Sequence, residues 1–323
     1  MARILLFGAS GFLGRAVEAV LAEHFTVIAP SRQECDLVAA DRSQLAAILR
    51  RVRPGAVVNC AGRIAGTSAQ FVESHTLVTA KLIDCVAEVS PGVRLVRIGS
   101  AAEYGVVPHG AVAAEADAAR PVSDYGVSQL AATDLVRLAA ASGRVDAVVL
   151  RVFNPVGPGS TSGNVLGRAA ELLQAALARG DQRIELGLND SYRDFVDVRD
   201  VAEAVLAVLN AGRLPLSIYN VGSGQAVATR EAVEMLARHA GFTGRFVDGL
   251  RSPTADRSAA VPWMCADISR ITDALGWAPR YPLGESLAAL WADRSHVTAG
   301  SGARHDVTVS ARPAPVPPVS PVR

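Results

Sequence analysis

Several things are scarce in this chain, and each shortage removes a class of function. Charge of either sign is in balance: 32 basic residues face 31 acidic ones over 323 residues, a formal net charge of +1. A nucleic-acid binder carries a basic patch or stripe, and this balance offers no such footprint, nor one for an anionic membrane. No apolar run approaches the roughly 20 residues that a membrane span needs. The chain enters a strand-like run, Arg3-Ile-Leu-Leu-Phe7, with no signal-peptide pattern before it. Its four cysteines, Cys35, Cys60, Cys85 and Cys265, show no metal-ligand spacing, so reduced thiols and no bound metal are expected. The expectation is a soluble, cytoplasmic protein whose partner is a small molecule, with neither nucleic acid nor membrane.

Hydrophobic residues, by contrast, make up 50% of the chain, enough for a sizeable core. Strand-like runs at Ile4–Phe7, Thr26–Ala29, Ala56–Cys60, Arg94–Gly99 and Ala147–Arg151 alternate with helical spacing over Arg15–His24, Arg42–Val52, Phe71–Val89 and Gln129–Ser142. Strands alternating with helices mean βαβ units, a parallel sheet and right-handed crossovers. The fold class expected is α/β, a doubly wound parallel sheet with a smaller C-terminal lobe. Residues 1–155 would form the dinucleotide-binding domain and 156–296 the substrate lobe, with a segment near 192–225 returning to the sheet. Helical patterns persist in the lobe at Leu166–Ala178 and Arg230–Ala240. Residues 297–323 turn Gly/Ser-rich and then Pro-rich, the composition of a disordered tail.

Directly after the first strand comes Gly8-Ala-Ser10-Gly11-Phe12-Leu13-Gly14. Glycines so placed allow a tight turn and close approach of backbone N–H groups to a pyrophosphate at a helix N-terminus. An acidic residue at the end of the second strand would select NAD by holding its ribose hydroxyls. Here that place reads Ser31-Arg32, and a guanidinium can pair with a 2′-phosphate, so NADP(H) is the expected cofactor. Asp36-Leu37 is expected beside the adenine.

Further motifs follow in order: Asn59-Cys60-Ala61-Gly62, Ile98-Gly-Ser100-Ala101-Ala-Glu-Tyr104-Gly105, Pro121-Val-Ser-Asp-Tyr125-Gly-Val-Ser-Gln129, Leu150-Arg-Val-Phe-Asn154-Pro155-Val156-Gly-Pro158 and Arg193-Asp-Phe-Val-Asp-Val-Arg-Asp200. Tyr219-Asn-Val-Gly-Ser-Gly224 and Leu275-Gly-Trp-Ala-Pro279 complete the series. From Ile4 to about Trp291 the chain resembles an extended short-chain dehydrogenase/reductase. The segments around Ser100 and Arg193 look most like the GDP-4-keto-6-deoxymannose reductase subgroup. The resemblance implies that Ser100 hydrogen-bonds the reacting carbonyl, that Tyr125 is the general acid/base, and that position 129 binds the nicotinamide ribose. It places Cys60, Ala61, Gly62, Asn154, Pro155 and Val156 around the cofactor. Ala101, Asn154, Arg193 and Arg257 would meet the substrate with Ser100. It also implies a homodimer through the helices at about Phe71–Val89 and Tyr125–Ser142.

Four departures shape the expected chemistry. The family lysine four residues after the tyrosine is Gln129, which can hydrogen-bond ribose but carries no charge. His75 stands where these proteins usually have asparagine. Ala101-Ala102 replace the Asp-Glu pair of sugar dehydratases. Ser258-Ala259-Ala260 follow Arg257 where nucleotide-sugar enzymes often place a ribose-holding acid. Oxidation needs a tyrosinate, whereas ketone reduction needs a protonated phenol, whose ordinary pKa is about 10. Losing the lysine therefore harms oxidation more than reduction, and an NADPH-dependent ketoreductase is expected. The missing ribose anchor and a composition that fits a high-GC genome favour a polyketide-type ketone of antibiotic metabolism. A nucleotide-linked 4-keto-6-deoxyhexose is the alternative, and a catalytically impaired NADP-binding regulator a third reading.

Overall fold

β1 (Arg3–Phe7) is an almost unbroken apolar run, and Ile4 through Phe7 are all buried. A strand hidden on both faces belongs inside a parallel sheet covered by helices. The computed structural model, which describes residues 1–188, 190–247, 249 and 261–301 (for 295–301 the backbone alone), places it there. β1 pairs in parallel with β2 (Thr26–Ile28) on one side and β3 (Ala56–Asn59) on the other. The sheet continues through β4 (Arg94–Ser100), β5 (Ala147–Val152) and β9 (Ile218–Val221), in the order β2-β1-β3-β4-β5-β9.

Side chains alternate across this sheet with the two-residue period of a strand. Ile4 and Leu6 pack on one face with Val17 and Leu21 of α1 (Phe12–Ala22) and Val201 and Val205 of α7 (Val198–Asn210). Leu5 and Phe7 pack on the other with α2 (Arg42–Val52), α4 (Val78–Val89) and α5 (Asp124–Ala141). α2 begins at an Asp41 capping box closed by Gln44, a sequence-encoded start. The stretch expected as one helix over Phe71–Val89 is more complex. It starts as α3 (Ser68–Phe71), passes through a π-helical turn at Val72–Leu77 and resumes as α4. α5 likewise starts at Asp124, before Gln129, so Tyr125 lies in its first turn.

The remaining elements are β6 (Asn154–Val156), α6 (Val165–Arg179), β7 (Arg183–Glu185), β8 (Tyr192–Asp197), β10 (Ala226–Ala228), α8 (Thr229–His239), β11 (Arg245–Val247), β12 (Trp263–Met264), α9 (Ser269–Leu275) and α10 (Leu283–Ser301). α7 and β9 serve the large sheet, whereas β8 pairs with β6, β10 and β12 in a second one. α6, α8 and α10 enclose a separate apolar core with Phe195, Leu236 and Leu287. The expected Pro-rich tail lies outside the described residues from 302 onward. No helix among the described residues is long and apolar enough to cross a membrane.

Candidate active site

The chain leaves β1 for β2 on one side and later crosses back to β3 on the other. Such a switch point opens a crevice at the carboxyl ends of the strands. Gly8 N-terminal to the crevice turns the chain with φ +82°, and its carbonyl accepts from Gly11 N at 3.0 Å. A Cβ on Gly14 would stand 1.9 Å from the Gly8 oxygen, and one on Gly8 2.5 Å from Ala61 N. Only glycine lets the turn, α1 and the Cys60-Ala61-Gly62 segment approach so closely. α1 has Gly11 as its N-cap and no side-chain cap bond. Its leading N–H groups are donors of the kind that hold a pyrophosphate. The residues present therefore fit a dinucleotide.

At the end of β2, Arg32 is 75% exposed along its side chain and pairs with Asp36 at 3.0 Å, so two expected cofactor residues first meet each other. Ser31 N donates to Glu34, and Leu37 is buried. Lys81, the single lysine of the chain, fixes this turn by donating to the carbonyls of Leu37, Val38 and Ala40.

Ser100 closes β4 and caps a 3-10 turn over Ala101–Glu103, accepting from Ala102 N at 3.2 Å. α5 starts beside it, capped by Ser123. A Cβ on Gly126 would meet the Ala102 carbonyl at 2.5 Å, so this glycine lets the helix abut the serine turn. Ser100, Tyr125 and Gln129 consequently line one cavity of about 480 Å³. Gly11, Phe12, Leu13, Cys60, Ala61 and Gly62 line it from the glycine-turn side, and Ala101, Asn154, Pro155 and Arg193 from the other walls. Gly8, Ser10 and Gly14 build the turn without lining this cavity, and Ser31, Arg32, Asp36 and Leu37 stand away from it at the end of β2. Val156, expected beside the cofactor, is buried in the lobe core and does not line the cavity either. Arg257, with Ser258-Ala259-Ala260, lies outside the described residues. Burial pushes the Cys60 thiol up to about 12, which leaves it a packing group and not a nucleophile.

The π-helical turn delivers His75 to this cavity. Its ring lies edge-on to Tyr125, with centroids 5.3 Å apart, and stacks on Phe71. Nδ1 is 2.8 Å from Ser128 Oγ, and Nε2 is within 3.2 Å of the backbone of Arg63. The ring thus ties the loop after β3 to α5. Burial, and secondarily the Arg97 charge, pull its pKa down to about 4, so the ring is neutral at physiological pH.

Behind Gln129 stands a charged cluster that the sequence reading missed. Arg97 of β4 is 3% exposed and donates from Nη2 to Gln129 Oε1, from Nε to Thr79 Oγ1 at 3.1 Å and from Nη1 to Thr133 Oγ1 at 3.3 Å. Glu103 Oε1 accepts from Thr133 Oγ1 and from Ser100 N, and its Oε2 pairs with Arg151 at 2.7 Å. Burial draws the Arg97 guanidinium below its ordinary pKa, while Glu103 and Tyr125 pull the other way. The signal was an arginine set between Val96 and Ile98 in a central strand, since a buried charge seldom serves packing alone.

On the lobe side, Asn154 Nδ2 donates to Asp194 O at 2.9 Å. Arg193 is 6% exposed, and burial lowers its pKa to about 10, which still leaves it a cation. Arg63 and Arg168 line the same cavity, a second pair that sequence reasoning did not single out. Among the described lining residues there is no aspartate or glutamate. Glu103, close to Ser100 in sequence, is fully buried in the cluster behind the site. Among the described residues no group of three or more His, Cys, Asp or Glu could hold a metal.

A model of the NAD dependent epimerase/dehydratase family matches residues 4–222. The chain belongs to that family, as an extended short-chain dehydrogenase/reductase. It is 35% identical over 309 residues to a dTDP-6-deoxy-L-talose 4-dehydrogenase (NAD(P)(+)) of Kitasatospora kifunensis, covering 91% of this chain and 96% of that protein. It is 30% identical over 301 residues to a GDP-6-deoxy-D-mannose reductase of Pseudomonas aeruginosa, covering 90% and 96%. Among solved structures, RMD from Pseudomonas aeruginosa complexed with NADPH superposes with a TM-score of 0.80 at 29% identity, over 92% of this chain and 100% of that one. The expected fold and the expected likeness to the reductase subgroup both hold.

Proposed function

We propose that the protein is an NADPH-dependent reductase of a nucleotide-linked 4-keto-6-deoxyhexose. The observation that carries this reading is one cavity lined by Ser100 and Tyr125 at the carbonyl end and by Arg63, Arg168 and Arg193, with no carboxylate among its described lining residues. Guanidinium groups suit a diphosphate, to which they donate in bidentate fashion. The relatives support the same substrate class: their names are those of nucleotide-sugar enzymes, two of them acting on 6-deoxyhexoses. A polyketide-type ketone would use Ser100 and Tyr125 but leave the arginine wall without a role. A pure NADP-binding regulator would have no use for either.

In this reading Ser100 Oγ donates to the C4 carbonyl oxygen and Tyr125 delivers the proton to it. When bound, NADPH would supply the hydride that C4 receives, so that reduction to a secondary alcohol is balanced by oxidation of the cofactor. Gln129 holds the nicotinamide ribose from one helical turn beyond Tyr125. Ala101 and Ala102 offer no base for dehydration, so the reaction stops at reduction. Arg32 on the exposed end of β2 selects the 2′-phosphate. A homodimer in the cytoplasm remains part of the proposal.

Turnover tests it. Purified protein should consume NADPH with dTDP- or GDP-linked 4-keto-6-deoxyhexoses, and use NADH poorly. Arg32→Ala should weaken NADPH binding by about 1–2 kcal/mol, the worth of a partly solvated charge-assisted bond, and leave NADH binding nearly unchanged. Consumption with aromatic ketones alone, or equal use of both cofactors by the wild type, would refute the corresponding half of the proposal.

A further inference from the structure

Replacing the family lysine by Gln129 removes a positive charge from beside Tyr125, yet the structure places another immediately behind the substitution. Arg97 donates from Nη2 to Gln129 Oε1, and Gln129 in turn lines the cavity with Tyr125. The carboxamide oxygen faces the guanidinium, so the end it can offer to the cavity is its Nε2 donor. We propose that Arg97 is the displaced cation of this active site, a positioning residue whose charge acts on Tyr125 through Gln129. The inference rests on the reading of Tyr125 as the proton-transfer residue, but not on the identity of the substrate.

Three observations support it independently of one another. First, the charge is not neutralised by direct pairing. The side-chain partners of Arg97 are Thr79, Thr133 and Gln129, all neutral, and no ion pair among the described residues includes it. Glu103, the acidic group that faces it, is taken up by Arg151, so Arg97, Arg151 and Glu103 together leave one net positive charge behind Ser100 and Gln129. Second, the fold makes room for the guanidinium. A Cβ on Gly99 would lie 2.7 Å from Val149 Cγ1, 2.8 Å from Glu103 Oε1 and 3.3 Å from Arg97 Nη1, so glycine in that strand position leaves space for the layer of side chains around the guanidinium. Third, burying a guanidinium costs several kcal/mol that an apolar side chain would not incur, and Arg97 sits between Val96 and Ile98 in the middle of β4. The chain's single lysine, Lys81, is committed to the carbonyls of Leu37, Val38 and Ala40, so the charge comes from an arginine.

Among the described residues, His75, Phe71 and Arg97 face Tyr125, and Arg63, Arg168 and Arg193 line the same cavity. From the π-helical turn and α3 Tyr125 meets His75 and Phe71, and the ring of His75 is neutral at physiological pH. From β4, the Arg97 guanidinium stands behind Gln129, one helical turn from Tyr125. A cation within reach of a phenol favours its phenolate and stabilises the charge that develops as the proton leaves. Gln129 would carry this influence as a polarised amide, with its oxygen held by the guanidinium and its N–H groups turned to the ribose and the phenol.

The phenolate of Tyr125 can be followed without substrate, as the absorbance near 295 nm that is lost in Tyr125→Phe. In Arg97→Met its onset should move about one pH unit upward, the lower end of the effect of an opposite charge nearby. Adding Gln129→Lys to Arg97→Met should bring the onset back down, because it restores a cation at the neighbouring place. Arg97→Lys should leave it within a few tenths of a unit. Near-UV circular dichroism reports whether each variant is folded. An unchanged onset in folded Arg97→Met would overturn the proposal, and so would a shift that Gln129→Lys fails to reverse. Should Arg97→Met not fold, Gln129→Met severs the same link with the guanidinium in place. There an upward move supports the proposal and an unmoved onset overturns it. Failure of the protein to reduce 4-keto sugars would leave these titrations unaffected, so the two readings fail separately.

Discussion

His75 shows how one side chain can couple the site to stability. It stands where the family resemblance implies asparagine, and the structure buries it between Phe71 and Tyr125 while bridging Ser128 to the backbone of Arg63. Its folded pKa is depressed from 6.5 to about 4, chiefly by burial. The sign follows from proton binding. Between these two values the unfolded chain takes up a proton that the folded chain refuses. Stability is thus full above about pH 6.5 and falls as the pH drops towards 4, by as much as ~3 kcal/mol. His75→Asn should flatten this part of the acid loss, seen as a smaller drop in urea midpoint between pH 7 and 4.5 than in the wild type. Equal drops in both proteins would show that the ring does not resist protonation. At this scale the sequence was partly transparent. Ser100, Tyr125, Gln129 and the glycine turn could be placed because each belongs to a local pattern. Arg97, Thr133 and Glu103 meet only through tertiary packing of β4, α5 and the 3-10 turn, so no spacing announces them. The sequence shows that Gln129 itself carries no charge, but not that its carboxamide oxygen meets the guanidinium of Arg97 on β4.

Among the elements, the periodic patterns did well wherever burial is regular. The strands expected at Thr26, Ala56, Arg94 and Ala147 begin at those residues, and α2 spans Arg42–Val52 as read. Continuous apolar runs and an acid-capped amphipathic helix leave little choice of conformation. The π-helical turn at Val72–Leu77 was illegible because an inserted residue leaves the apolar spacing on both sides intact. Helix faces also bear on assembly. Val127 and Leu138 of α5 lie about three turns apart on one side of the helix, and they are 53% and 56% exposed, as are Val72 and Leu77 of the adjoining turn at 42% and 51%. Such a face suits the four-helix pairing expected of a homodimer. Light scattering at micromolar concentration should give a dimer, and Val127→Glu with Leu138→Glu should give a monomer that still binds NADPH. A wild-type monomer under those conditions would exclude this interface.

For the molecule as a whole, the large sheet holds the dinucleotide turn and the Ser100–Tyr125 pair, while the smaller core of α6, α8 and α10 brings Arg168 and Arg193 to the same cavity. The sequence made the first half of this arrangement plain, because strands and glycines fix it locally. The arginine wall depends on how a loop-rich lobe closes against the sheet, and no spacing in the sequence announces it. The proposed reaction is hydride transfer to C4 of a sugar nucleotide. NADPH carrying deuterium at the transferable C4 position, incubated with a GDP- or dTDP-linked 4-keto-6-deoxyhexose, tests it directly by mass spectrometry and NMR of the product. One deuterium at the hexose C4, with one NADPH oxidised for each sugar reduced, is the outcome expected. A sugar that stays unlabelled while the protein demonstrably binds NADPH, or one that is isomerised with no net consumption of cofactor, would contradict it.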